Sequence, residues 1–148
     1  MLDVTQGSQP LLQIRNLTKT FETPRGAVHA VSDVSFDIPR GSITGLVGES
    51  GSGKTTLGRT LLRLIEPSAG STRFGGTDVN ALDEAGLRAM RRRMQIIFQD
   101  PVSSLNPRLK VGQIIAEGLV AHRIGTSAQR RDKAAALLEE VGLRADAI

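Results

Sequence analysis

Gly48-Glu49-Ser50-Gly51-Ser52-Gly53-Lys54-Thr55 is the stretch on which the reading of this chain turns. It fits the pattern G-x-x-x-x-G-K-[ST] at every fixed position. The composition has a physical reason: a loop that wraps a phosphate chain must turn successive backbone N–H groups inward, and glycine takes such turns without a side-chain clash. Just before the loop, Ile43, Leu46 and Val47 belong to an apolar run bounded by Gly41 and Gly48, as expected of a strand buried on both faces in a parallel sheet. Just after it, Leu57, Leu61, Leu64 and Ile65 recur at helical spacing until Pro67. A helix that starts near Lys54 would bring its free N–H groups and positive dipole end to the phosphates. Lys54 would set its charge against the β- and γ-phosphates, and the Thr55 hydroxyl would bind Mg2+. Gly48, Glu49, Ser50, Gly51, Ser52, Gly53, Lys54, Thr55 and the following Thr56 are therefore the expected nucleotide-binding residues, with ATP and Mg2+ as ligands. A Gly/Ser turn that happens to precede a helix is the competing reading, and the strand–loop–helix context weighs against it. No N-K-x-D string occurs, which counts against a guanine nucleotide.

Upstream, residues 11–17 alternate well enough for an edge-type strand, and Val34, Phe36 and Ile38 alternate with Ser35 and Asp37 as in a half-buried one. Thr23-Pro24-Arg25-Gly26 between them reads as a turn, so the first third should form a small antiparallel layer. Downstream, residues 71–74 suit a strand that turns at Gly75-Gly76, residues 82–93 a helix, and residues 94–98 another buried strand. Gly58 inside the first helix marks close packing. After Asp100-Pro101 the character changes: residues 103–107 read as loop, and helical patterns cover 111–122 and 127–141. Thr126 with Gln129 three residues on matches a capping box, ahead of a stripe of Ala134, Leu137, Leu138 and Val141. The coarse organisation is a layer and loop core over about 11–100 and a helical piece over about 101–148.

Bulk composition narrows the function classes. Of the 148 residues 39% are hydrophobic and 23% charged, ordinary for a globular chain, and no Cys is present to form disulfides or thiolate sites. The net charge of +4 gathers at Arg88, Arg91, Arg92 and Arg93 and again at Arg130, Arg131 and Lys133. Such runs read as solvated helix faces beside an anion site; with neither Tyr nor Trp, a nucleic-acid stacking platform is not expected. Residues 1–10 lack the basic start and apolar stretch of a signal peptide. No apolar run approaches the ~20 residues that cross a bilayer. Any membrane-spanning part is expected on another chain.

The string Met94-Gln95-Ile96-Ile97-Phe98-Gln99-Asp100-Pro101 admits two readings. One is a Walker B strand that ends in a metal-binding Asp100. The better one places Gln99 at the strand's end, its amide oxygen able to reach magnesium and the attacking water. Here the chain resembles a family: the ATP-binding subunits of ABC transporters, and within them the peptide-importer group, over nearly its whole length from Leu12. Gly48 to Thr55 is similar to that family's Walker A loop and Gln99 to its Q-loop glutamine. Phe21, in Leu17-Thr18-Lys19-Thr20-Phe21, matches the aromatic position that stacks on adenine, where the family usually has Tyr. Core packing is the other reading of Phe21. Thr56-Leu57-Gly58-Arg59, Phe98-Gln99-Asp100-Pro101 and Ser104-Leu105-Asn106-Pro107-Arg108 are similar to strings in ATPases of dipeptide, oligopeptide and nickel importers.

The resemblance implies an α/β P-loop NTPase: a RecA-like core with an antiparallel β layer, incomplete, plus the start of an α-helical subdomain. It implies a second ATPase subunit and transmembrane permease subunits as partners, no nucleic acid, and a peripheral place on the cytoplasmic face of the inner membrane. The family's L-S-G-G-Q signature, Asp-Glu Walker B and switch His are not found in this sequence. His29 and His122 read as surface or packing residues. No catalytic residue is therefore assigned, and the chain is not expected to turn ATP over. A binding-only nucleotide module and a non-transport ABC ATPase of the DNA-repair type remain as alternatives; the latter would carry heptads or Cys after the Q-loop, and neither occurs here.

Overall fold

The computed structural model describes residues 9–144, which divide between Met90 and Arg91 into two compact units. In the first, strand β1 (Leu12–Thr23) and strand β2 (Gly26–Ile38) form an antiparallel hairpin that closes at Thr23↔Gly26. The expected turn lies at Pro24-Arg25. The Thr23 hydroxyl donates to the Gly26 carbonyl at 2.7 Å and accepts from the Arg25 N–H at 3.3 Å.

Both strands run well beyond the stretches where residues alternate, and β-bulges are the reason. The pairing slips between Ile14 and Leu17, between Leu17 and Lys19, and between Lys19 and Thr20. Each slip inserts a residue on one strand, so the apolar positions lose their period of two while the fold keeps them on one face. Asn16 and Asp33 adopt positive φ at these irregularities and are tied together, Asn16 Nδ2 donating to Asp33 Oδ1 at 2.7 Å. Ile14, Leu17 and Val31 then form one buried cluster with Leu57, flanked by Leu12, Val34, Phe36 and Leu61. Each such side chain contributes about 1.5–3 kcal/mol on burial.

Strand β3 (Ala69–Phe74) joins β1 on its other edge and strand β4 (Thr77–Asp78) pairs with β3, giving the order β2-β1-β3-β4. Gly70 sits at φ 86° where a Cβ would fall 2.3 Å from the Asn16 carbonyl oxygen, so the β1 bulge is accommodated only by glycine there. Helix α1 (Lys54–Leu61) contributes Leu57 and Leu61 to the core. It stops short of the expected Ile65 because Arg63 turns into the left-handed region. From there its guanidinium donates to the Val79 and Leu82 carbonyls and to Glu66. Helix α2 spans Glu84–Met90, shorter than its pattern at both ends, with the Asp83 carboxylate accepting from the Gly86 N–H at 2.7 Å.

In the second unit, helix α3 is a single turn (Pro101–Ser104) that overlaps the expected loop only at Ser103 and Ser104. Helices α4 (Val111–Ala121) and α5 (Ser127–Glu140) pack on each other. The Thr126 capping box is formed: its hydroxyl accepts from the Gln129 N–H and its N–H donates to Gln129 Oε1 at 2.8 Å. Ala134 and Leu138 of the expected stripe are buried, whereas Leu137 and Val141 are exposed, so a narrower i, i+4 seam does the packing.

Three expectations are overturned. Gly58 does not mark a close approach, since a Cβ there would meet nothing within 4 Å. Neither 43–47 nor 94–98 is a strand. Ile43 and Val47 are 101% and 94% exposed, and Ile97 is 89% exposed, the opposite of burial on both faces. A strand exists through its hydrogen-bonded neighbour. Among the described residues none pairs with either run, so apolar composition alone does not make them strands, although Met94 at the start of the second run is buried.

Candidate functional site

The glycine loop shows why each fixed position has its residue. Gly51 and Gly53 take φ of 82° and 89°, in the left-handed region that side chains disfavour. Gly53 also lies against β2. A Cβ there would stand 2.1 Å from the Ala30 carbonyl oxygen, a backbone atom with nowhere to go. Ala30 is the residue left over where the pairing slips between Lys19↔Val31 and Thr20↔His29, so a β-bulge forms the seat of the loop. Gly48 has a softer reason: its Cβ would meet the Ser52 hydroxyl at 2.7 Å.

Lys54 arches back over the loop. Its ammonium donates to the Gly48 carbonyl at 2.7 Å, the Glu49 carbonyl at 2.6 Å and the Ser52 hydroxyl at 3.3 Å. One positive charge is thus held inside the loop by three neutral acceptors, with no carboxylate among the described residues to neutralise it. The start of α1 is equally undecorated, since Gly53 provides no side-chain cap and no acidic residue occupies the first turn. N–H groups at such a terminus seek an acceptor, and with the Lys54 charge they suit an anion. A cavity of about 510 Å³ opens beside them, lined on one side by Val31, Val34 and Phe36 of β2 and on the other by Val47, Gly48, Ser52 and Lys54.

Thr55 is exposed at the first turn of α1, while the Thr56 carbonyl accepts from the Thr60 hydroxyl at 2.8 Å. Phe21 on β1 pairs with Val28 and is 36% exposed, more open than core packing would require. The Lys19 ammonium lies 4.8 Å from its ring centroid. Sequence reasoning missed this contact, although an i, i+2 spacing within a strand puts both side chains on one face. It also missed Ala30, because nothing in the sequence marks the bulge. Gln99 is exposed in a bend of the second unit. Asp100, the alternative metal carboxylate, instead accepts from the Ser103 N–H at 3.2 Å and so caps α3. His29 is exposed with Nδ1 3.0 Å from the Thr20 hydroxyl, and His122 ends α4. No helix among the described residues is long and apolar enough to cross a membrane.

Known proteins resemble the chain along nearly its whole length. The ABC transporter family model matches residues 31–148. A putative peptide import ATP-binding protein of Brucella ovis is 52% identical over 139 residues, covering 94% of this chain and 44% of its own. The oligopeptide transport ATP-binding protein OppF of Bacillus subtilis is 49% identical over 138 residues, covering 92% and 45%. Among solved structures, a dimeric bacterial ABC transporter cassette superimposes with a TM-score of 0.72 at 27% identity, over 86% of this chain and 56% of its own. The same cassette in a post-hydrolysis state, bound to ADP and Pi, matches equally well. The chain therefore spans about half the length of the relatives it matches. Its glycine loop, the helix behind it and the antiparallel layer beneath are those of a P-loop NTPase cassette, and the chain belongs to the ABC transporter family.

Proposed function

We propose that Gly48 to Thr56 bind the phosphates of ATP and that the chain is the ATP-binding part of an ABC ATPase subunit that energises import of peptides or similar small solutes. The observation that carries the reading is the Lys54 ammonium, without a carboxylate partner among the described residues and held over the loop beside a helix start whose first-turn N–H groups have no side-chain cap. When ATP enters, its β- and γ-phosphate oxygens offer Lys54 charge-assisted hydrogen bonds, stronger than those to the two carbonyls it now contacts. Loop N–H groups between Gly48 and Lys54 supply the rest of the cradle. The Thr55 hydroxyl would hold Mg2+, Gln99 is proposed for metal contact on the family resemblance alone, and Phe21 would stack on the adenine.

Peptide as cargo is supported by the Brucella and Bacillus relatives, a putative peptide import and an oligopeptide transport ATP-binding protein. The dimeric state of the cassette relative supports a second ATPase subunit as partner. Transmembrane permease subunits complete the proposed assembly, with this chain peripheral on the cytoplasmic face of the membrane.

Titration with a fluorescent ATP analogue tests the loop assignment. Lys54→Ala should bind roughly tenfold or more weakly, from ~1.5–3 kcal/mol per charge-assisted hydrogen bond. Equal affinities would remove the phosphate site from this loop.

A further inference from the structure

We propose that Lys19 is a positioning residue for the nucleotide base: it pins the Phe21 ring so that one aromatic face is presented for stacking. The inference rests on the loop being an ATP site, and it adds a residue whose part in that site no motif announces. Strand β1 sets Lys19 and Phe21 two positions apart on one face, and the ammonium stands 4.8 Å from the ring centroid. That is within the ~6 Å over which a cation is drawn to an aromatic quadrupole. Among the described residues the Lys19 ammonium has neither a carboxylate nor a hydrogen-bond acceptor, so the ring is what holds it.

The pair is fixed to the phosphate loop through the backbone. Lys19 and Phe21 face Val31 and Val28 of β2, and the bulge residue between those partners is Ala30, the seat of Gly53. Val28 lies two residues from that seat, about 7 Å along a strand. Adenine and triphosphate could therefore be held by one rigid segment of β2. A Phe ring on an open strand surface has rotational freedom that stacking must remove. Lys19 removes it in advance by covering one face and leaving the other for the base, which is preorganisation in the ordinary sense.

A double-mutant cycle decides the matter. The 148-residue chain and its Lys19→Met, Lys19→Arg, Phe21→Ala and combined Lys19→Met/Phe21→Ala variants are titrated with the fluorescent ATP analogue, and with inorganic triphosphate as competitor. Lys19→Met should weaken ATP about two- to fivefold, the range of an exposed cation–ring contact. It should leave triphosphate affinity and the thermal midpoint unchanged. Lys19→Arg should restore ATP binding, because a guanidinium also sits on an aromatic face. On the Phe21→Ala background, Lys19→Met should cost nothing further. An equal loss of triphosphate would make Lys19 a phosphate contact and overturn the proposal, as would additive losses in the cycle or an unchanged ATP affinity. A wild-type chain that binds neither ligand would instead sink the loop assignment on which the proposal stands.

Discussion

Residues 43–47 and 48–55 are neighbours in the chain, and each is read from a strong local pattern, yet the structure treats them differently. The loop takes up the geometry its composition demands: glycines at positive φ and a lysine folded onto acceptors two to six residues away. The apolar run beside it forms no strand and leaves Ile43 and Val47 open to solvent. The difference is one of range. A glycine turn is specified by residues that touch each other, whereas a strand needs a partner elsewhere, which its own sequence cannot provide.

Gly53→Ala is the sharpest way to break that comparison, because it attacks a place where the loop does depend on a distant residue. The new methyl group would stand 2.1 Å from the Ala30 oxygen on a backbone at φ 89°. Left-handed strain and overpacking together should destabilise the first unit by about 2–5 kcal/mol. ATP-analogue binding should fall with it. Thermal unfolding and titration read both effects. A variant as stable as the parent, with unchanged affinity, would mean that the loop is not seated on the β2 bulge.

The same contrast of range explains what could be read in advance and what could not. The Thr126–Gln129 cap, the turn at Pro24-Arg25 and the phosphate loop are contacts between residues a few positions apart, and all three are formed. The full lengths of β1 and β2 stayed hidden because bulges around Asn16 and Asp33 shift the phase of the apolar pattern. The end of α1 stayed hidden because Arg63 leaves the helix to reach carbonyls 16 and 19 residues away. At the site, the residue types of the loop were legible. Its seat on Ala30 and the Lys19–Phe21 contact were not, since both depend on how the hairpin bulges.

Arg15 and Asp37 lie between these extremes: they are 22 residues apart but brought together by the hairpin register. Arg15 Nη2 donates to Asp37 Oδ2 at 2.8 Å, with Nη1 on the other oxygen. The guanidinium hydrogen bond holds the Asp37 carboxyl below its ordinary value, against a smaller opposing effect of desolvation. A carboxyl so lowered stabilises the fold above its unfolded value and loses that contribution as pH falls through the folded one. The thermal midpoint of the wild type should therefore fall more between neutral pH and pH 3 than that of Asp37→Asn. Both groups are exposed, so the difference should be modest and should shrink in high salt. Parallel acid limbs for the two proteins would show that the pair is absent in solution.

The smallest expected effect belongs to the apolar run itself. Ile43 is fully exposed and contributes nothing to the buried cluster of Ile14, Leu17, Val31 and Leu57. Replacing it by serine removes apolar area that is already in water, so stability should change by no more than about 0.5 kcal/mol. Urea unfolding of wild type and Ile43→Ser, compared at several protein concentrations, measures this directly. A loss above about 1 kcal/mol would mean that the side chain is buried in solution, and hence that the run has found a neighbour. If that loss grew with protein concentration, the neighbour would be another copy of the chain, because association stabilises by mass action whereas intramolecular pairing does not. Either result would break the contrast between 43–47 and 48–55, by showing that the run had acquired the pairing partner its sequence could not supply.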